Sequence, residues 1–202
     1  MRRALLIVDV QNDFTEGGAL GVTGGDAVAS GVTAYLTEHA DLYSLIVASR
    51  DWHSAEGDNG GHFSEHPDFV DTWPVHCVAE SRGAEYHPEF DTSSVQEHLF
   101  KGQGTPDYSA FQAVTRSGEP APELFVRYAI TDIDVLGIAT DYCVRASSLD
   151  ALRGSYGVRV LQPLTAGVAA ESSAAALAEI RLAGGEILSE LPAPGEAQRM
   201  QG

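Results

Sequence analysis

Four side chains along this sequence have the types that nucleophilic hydrolysis needs: the carboxylates of Asp9 and Asp51, the ammonium of Lys101 and the thiol of Cys143. Each lies at or just beyond a short apolar run, at residues 4–8, 45–48, 98–100 and 133–139. If these runs are parallel strands, the ligand crevice lies beyond their carboxyl ends and the four groups meet there. The thiolate is the attacking species, a helix N-terminus beside an ammonium would lower its pKa, and a carboxylate can carry the proton. Each group alone has an ordinary use, since strand-end Asp residues cap helices and single cysteines fill cores. An acid, an ammonium and a thiol together point instead to amide hydrolysis through a covalent cysteine intermediate. Lys101 is the only lysine among 12 basic residues, which reflects either genomic bias or a position that requires a compact ammonium. Cys77 follows His76 in an irregular stretch with no helix to activate it, so Cys143 is the expected nucleophile.

A second cluster is built from imidazoles. Of the 7 histidines, His53, His62, His66 and His76 fall close together after Asp51, and Asp51 and His53 share a face if the segment is extended. One carboxylate with several imidazoles suits zinc, iron or manganese and disfavours calcium, although a solvated polar loop would have the same composition. His66, before Pro67, and the scattered His39, His87 and His98 read as surface or packing residues. Phe14, Trp73 and Tyr108 lie in loops at the same edge, where aromatic rings either close the core or hold a flat ligand.

These groups must be positioned by an α/β framework. The 202 residues are about one domain's worth, and an apolar fraction of 44% with 20% charged residues excludes a disordered or fibrous chain. Apolar runs at residues 4–10, 45–48, 98–100, 133–139, 158–161 and 186–188 alternate with helical patterns at 26–38, 121–128, 141–153 and 171–183. That rhythm predicts a three-layer α/β/α fold with a doubly wound, mainly parallel, Rossmann-like sheet of about six strands. Residues 1–190 form a single domain on this reading, and 191–202 a flexible tail. Residues 51–96 and 102–116 lack regular patterning, and loops of that length inside a compact domain carry function.

The net charge of −17 disfavours nucleic acid and anionic membranes as partners. No apolar run reaches the roughly 20 residues of a membrane helix, and the first one meets Asp9 too soon for a signal peptide. With 2 cysteines there is no disulfide framework, so a cytoplasmic location is expected.

Six motifs occur in order: VDVQNDF at 8–14, RDWH at 50–53, HFS at 62–64, WPVHC at 73–77, FKG at 100–102 and GIATDYCV at 137–144. In this combination the chain resembles the nicotinamidase/pyrazinamidase branch of the isochorismatase-like cysteine hydrolases. The resemblance implies a catalytic triad of Asp9, Lys101 and Cys143. It implies an oxyanion hole of the Ala139 and Cys143 N–H groups, with a cis peptide between Ile138 and Ala139. It further implies one divalent metal, zinc before iron or manganese, on Asp51, His53, His62 and His76, and a substrate wall of Phe14, Trp73, Tyr108, Ala139 and Tyr142. His66 is the nearest competitor of His62, and Tyr142 stands where many relatives carry His. The implied substrate is nicotinamide, whose ring nitrogen meets the metal, with pyrazinamide as an analogue, and the implied setting is NAD salvage. A carbamoyl or ureido amide would use the same triad without needing that anchor, and a non-catalytic metal-binding protein would lose the triad. The protein is expected to be a monomer or a homo-oligomer.

Overall fold

The computed structural model of the chain describes residues 2–192, so residues 193–202 of the tail expected at 191–202 lie outside the described residues. The strands are β1 (Arg3–Val8), β2 (Leu45–Asp51), β3 (Glu97–Lys101), β4 (Val114–Thr115), β5 (Asp132–Ile138), β6 (Gly157–Ala166) and β7 (Glu186–Leu188). They form one seven-stranded sheet in the order β4-β3-β2-β1-β5-β6-β7. Every pairing is parallel except β3 with β4. The helices are α1 (Gly25–His39), α2 (Ala121–Arg127), α3 (Arg145–Arg153) and α4 (Ala170–Leu182). From β1 the chain builds outward through β2 and β3, then returns to place β5 on the other side of β1. The topological switch point therefore falls between β1 and β5, where open α/β sheets open a crevice.

Strand β1 shows why the sheet is central. All of Ala4 to Val8 is buried, and alternate residues serve opposite faces. Ala4, Leu6 and Val8 join one core with Leu124 and Phe125 of α2, Leu149 of α3 and Ile180 of α4. Leu5 and Ile7 join the other with Val28, Val32 and Leu36 of α1 and with Cys77, Ala84 and Phe90 from the long loop. A Leu or Ile side chain buried in this way contributes about 1.5–3 kcal/mol.

Four boundaries differ from the sequence expectation, each for a local reason. Strand β1 stops at Val8 because Asp9 adopts a φ of +49° and turns the chain out of the sheet. Strand β6 runs five residues past Leu161 because it pairs with β5 again at Thr165 and Ala166, and Pro163, which lacks an N–H, falls within the register shift between the two stretches of pairing. The two residues of β4 are too short to show a period. Helix α3 begins only at Arg145, since residues Thr140–Val144 form a single π-helical turn. No regular element occupies residues 52–96, and no helix among the described residues is long and apolar enough to cross a membrane.

Candidate active site

The strand ends bring the four chemical groups together. Asp51 and Lys101 are direct register partners on β2 and β3, so their side chains leave the sheet on the same face. Asp9 lies beside them, its Oδ1 accepting a hydrogen bond from Ser49 Oγ at 2.8 Å. The Lys101 ammonium is 2.9 Å from Asp9 Oδ2, pairs closely with Asp51 Oδ1, and is 3.6 Å from Cys143 Sγ. All four residues are buried, Lys101 at 1% exposure. The peptide between Ile138 and Ala139 is cis. In the turn that follows, Tyr142 and Val144 both donate their N–H to Ala139 O at 3.1 Å. The Cys143 N–H between them is not one of these donors.

Burial dominates the electrostatics. Desolvation raises Asp9 above the usual carboxylate range, Lys101 opposing the rise and Asp51 adding to it. Asp51 is also penalised by burial, but Lys101, His53 and His76 outweigh this and hold it low. Lys101 keeps its proton well above the ordinary range because Asp51 and Asp9 outweigh its desolvation. Burial also pushes the Cys143 thiol well up, with Lys101 pulling against it and Asp9 adding to it. The expected lowering by a helix N-terminus is absent, because Cys143 precedes α3 inside the π-turn and is desolvated. The resting arrangement is a protonated thiol next to a carboxylate with raised proton affinity.

The imidazoles of His53, His62 and His76 converge, their candidate ligand atoms lying within 4.8 Å of one another. Asp51 divides its oxygens: Oδ1 faces Lys101, while Oδ2 lies 3.6 Å from His53 Nε2 and 3.9 Å from His76 Nε2. His53 Nδ1 donates to Gly102 O at 2.8 Å and His76 Nδ1 to Pro74 O at 2.7 Å, which leaves both Nε2 lone pairs free. Burial and the neighbouring rings hold His62 down to about 4, so its imidazole is neutral at pH 7. The buried His53 Nε2 and His62 Nδ1 have no hydrogen-bond partner within the protein. Three converging imidazoles, two of them with an unpartnered ring nitrogen, and a carboxylate fit a divalent transition metal. His66 is exposed and outside the cluster, and Cys77 is a fully buried core thiol raised by burial.

Above these groups lies a cavity of about 410 Å³, within the range usual for small-molecule sites. Its lining includes every aromatic expected there: Phe14, Trp73, Tyr108 and Tyr142, with Ala139 and Cys143 at the base and His62 and His76 at one side. Trp73 Nε1 donates to Tyr108 OH at 2.9 Å, and Tyr142 meets Trp73 edge-on at 5.0 Å.

Sequence reasoning missed the residues that fasten the loop. Gln11 is fully buried, accepts the Asp51 N–H at 2.8 Å and donates to Asp51 O at 2.9 Å. Asp13 takes the Cys77 N–H at 2.7 Å, fixing the residue after His76. Asn59 bonds Ser54 in both directions and accepts the Gly104 N–H, and single bridges join His53 to Val78 and Phe63 to Trp73. Gln11 and Asp13 stand inside the VDVQNDF motif, which was the available signal; Asn59 had none.

Fold and site together define a doubly wound α/β protein with a buried cysteine, lysine and aspartate beside a cluster of imidazoles. The chain belongs to the isochorismatase domain family, which matches residues 3–190. It is 47% identical over 186 residues to a nicotinamidase/pyrazinamidase of Mycobacterium tuberculosis, covering 92% of this chain and 98% of that protein. The crystal structure of PnC1 from L. infantum in complex with nicotinate superposes with a TM-score of 0.79 at 33% identity, over 93% of this chain and 92% of that one. The pyrazinamidase of Pyrococcus horikoshii in complex with zinc gives a TM-score of 0.78 at 33% identity, over 94% of this chain and 100% of that one.

Proposed function

We propose that this protein is a nicotinamidase: it hydrolyses nicotinamide to nicotinate and ammonia, and pyrazinamide to pyrazinoate, through a thioester on Cys143. The observation that carries the reading is the Lys101 ammonium in simultaneous contact with Asp9, Asp51 and Cys143, next to an aromatic cavity that Asp51, Cys143, His62 and His76 line. The names of the relatives at 47% and 33% identity support the same substrates.

Asp9, its proton affinity raised by burial, takes the Cys143 proton as the sulfur attacks the amide carbon. The oxygen of the tetrahedral intermediate accepts from the Ala139 and Cys143 N–H groups. Asp9 returns the proton to the departing nitrogen, ammonia leaves, and an acyl-thioester remains. Asp9 then accepts a proton from water as the water oxygen attacks the thioester, and passes it to the leaving sulfur. Lys101 keeps its charge throughout and offsets the negative charge that passes between Asp9, sulfur and oxyanion. Phe14, Trp73, Tyr108 and Tyr142 hold the flat ring and exclude water. Asp51, His53, His62 and His76 would hold a divalent ion, zinc first, which supplies an electrophilic anchor for the ring nitrogen. Acting on nicotinamide places the enzyme in NAD salvage, in the cytoplasm.

The test is ammonia release from nicotinamide by purified protein, before and after chelation, with metal content measured on the same sample. Release that falls on chelation, returns with zinc, iron or manganese, and is abolished in Cys143→Ala is the expected result. No release from metal-loaded wild-type protein overturns the substrate assignment.

A further inference from the structure

The turn that carries the nucleophile is fastened from outside the cavity. Asp141, two residues before Cys143, is 8% exposed, and its carboxylate binds the beginning of α4. Oδ1 accepts the Val168 N–H at 3.0 Å, and Oδ2 accepts the Ala169 N–H at 3.2 Å and the Ser172 hydroxyl at 2.5 Å. Val168 and Ala169 lead into α4, Ser172 is in its first turn, and Ala169 at the N-cap has no side chain able to accept a bond. A negative charge at this end of a 13-residue helix is favoured by the helix dipole, so the attachment is stiff as well as specific. Gly167 makes the close approach possible: a Cβ there would lie 2.0 Å from Ser173 Oγ and 3.1 Å from Asp141 Oδ1. Val168 is itself on the cavity wall with Tyr142 and Cys143, so one carboxylate joins the wall to the base.

The turn needs such a fastening. Two of its backbone bonds, from the Tyr142 and Val144 N–H groups, share one acceptor, Ala139 O, and it follows a π-helical rather than an α-helical path. The directions of the Ala139 and Cys143 N–H groups therefore depend on how the turn is held against α4. The ring wall is braced separately by the bond from Trp73 to Tyr108.

We propose that Asp141 is a positioning residue for the hydrolysis, setting the aim of the oxyanion donors through its grip on α4 without touching substrate. This rests on the nicotinamidase reading above. Loss of the grip should slow oxyanion formation and leave ring binding in place, because an N–H group displaced by a fraction of an ångström loses its transition-state bond first.

The experiment compares wild type with Asp141→Ala, Asp141→Asn and Ser172→Ala. The rate per active site is obtained by counting Cys143 thiols that a haloacetamide can alkylate. In parallel, affinities are measured for nicotinate and for pyridine-3-carboxaldehyde. On the aldehyde, Sγ bonds the carbonyl carbon, the π pair moves to oxygen and the thiol proton passes to Asp9, so the adduct fills the oxyanion hole. The expected result is a kcat loss of about 100-fold in Asp141→Ala, smaller in Asp141→Asn and smaller again in Ser172→Ala, with KM nearly unchanged. Aldehyde affinity should fall in step with kcat while nicotinate affinity stays constant.

A purely structural role would instead lower the melting temperature and the number of alkylatable sites, leaving kcat per site and the aldehyde-to-nicotinate ratio at wild-type values. That result overturns the proposal. If Asp141→Ala does not fold, the other two variants decide between these outcomes. If the wild type binds the aldehyde at Cys143 yet releases no ammonia from nicotinamide, the substrate reading has failed, and the aldehyde series still decides the positioning role.

Discussion

Replacing Gly102 by alanine tests how the imidazole cluster is held. Gly102 follows Lys101 with a φ of +75°, and a Cβ there would lie 2.5 Å from His53 Cε1 and 2.7 Å from its Nδ1. The ring would have to move, breaking the 2.8 Å bond from Nδ1 to Gly102 O. A side chain in the left-handed region costs about 1–2 kcal/mol. The buried donor and acceptor left unpaired cost about 1–3 kcal/mol more. Gly102→Ala should therefore be about 2–5 kcal/mol less stable by urea denaturation. Zinc affinity, measured against a competing chelator, should fall by about 10- to 100-fold, since that bond orients His53. Gly104→Ala is the control: its φ is +83° but nothing lies within 4 Å of the added Cβ. It should show the strain alone, with zinc affinity retained. Equal zinc affinity in Gly102→Ala and wild type would refute both the ligand role of His53 and its orientation by Gly102.

Two further predictions concern charge. Because burial raises the Cys143 thiol, its alkylation by a neutral haloacetamide should be slow at pH 7 and keep rising with pH through the ordinary thiol range. Lys101→Met should move that profile still higher, and a wild-type plateau below pH 7 would contradict the electrostatics. At the opposite end of the sheet, fully buried Asp134 accepts from Arg3 Nη1 at 2.6 Å, from Arg159 Nη2 at 2.6 Å and from Tyr43 OH at 2.9 Å. Asp134→Asn removes the carboxylate that Arg159 pairs with and leaves Arg3 its longer pair with Asp132 Oδ1 at 3.3 Å. Discounted for the solvent that reaches both arginines, it should cost about 3 kcal/mol by denaturant titration, with kcat per folded molecule unchanged. A loss below about 1 kcal/mol would show that the network contributes little.

Much of this molecule was legible in its residue order. Strands buried on both faces need near-continuous apolar runs, so the runs at 4–10 and 133–139 announced β1 and β5, within two residues of their observed ends. The parallel-sheet rule then gathered Asp9, Asp51, Lys101 and Cys143 before any coordinate was known. The long interval after Asp51 also read correctly as irregular, because irregular backbone has no period to display.

What the tertiary structure alone decided depends on pairings between distant residues. His62 lies buried in the imidazole cluster, next to the bridge between Phe63 and Trp73 and near the Asn59 staple, while His66 is exposed. The π-turn and the late start of α3 leave no period in the residue order, and the turn meets α4 through Asp141, 27 residues from Val168. The direction of the Cys143 shift reversed for the same reason. Sequence identifies the helix and the lysine that would lower a thiol's pKa, but desolvation is set by everything packed around the sulfur, and only the folded chain brings those atoms together.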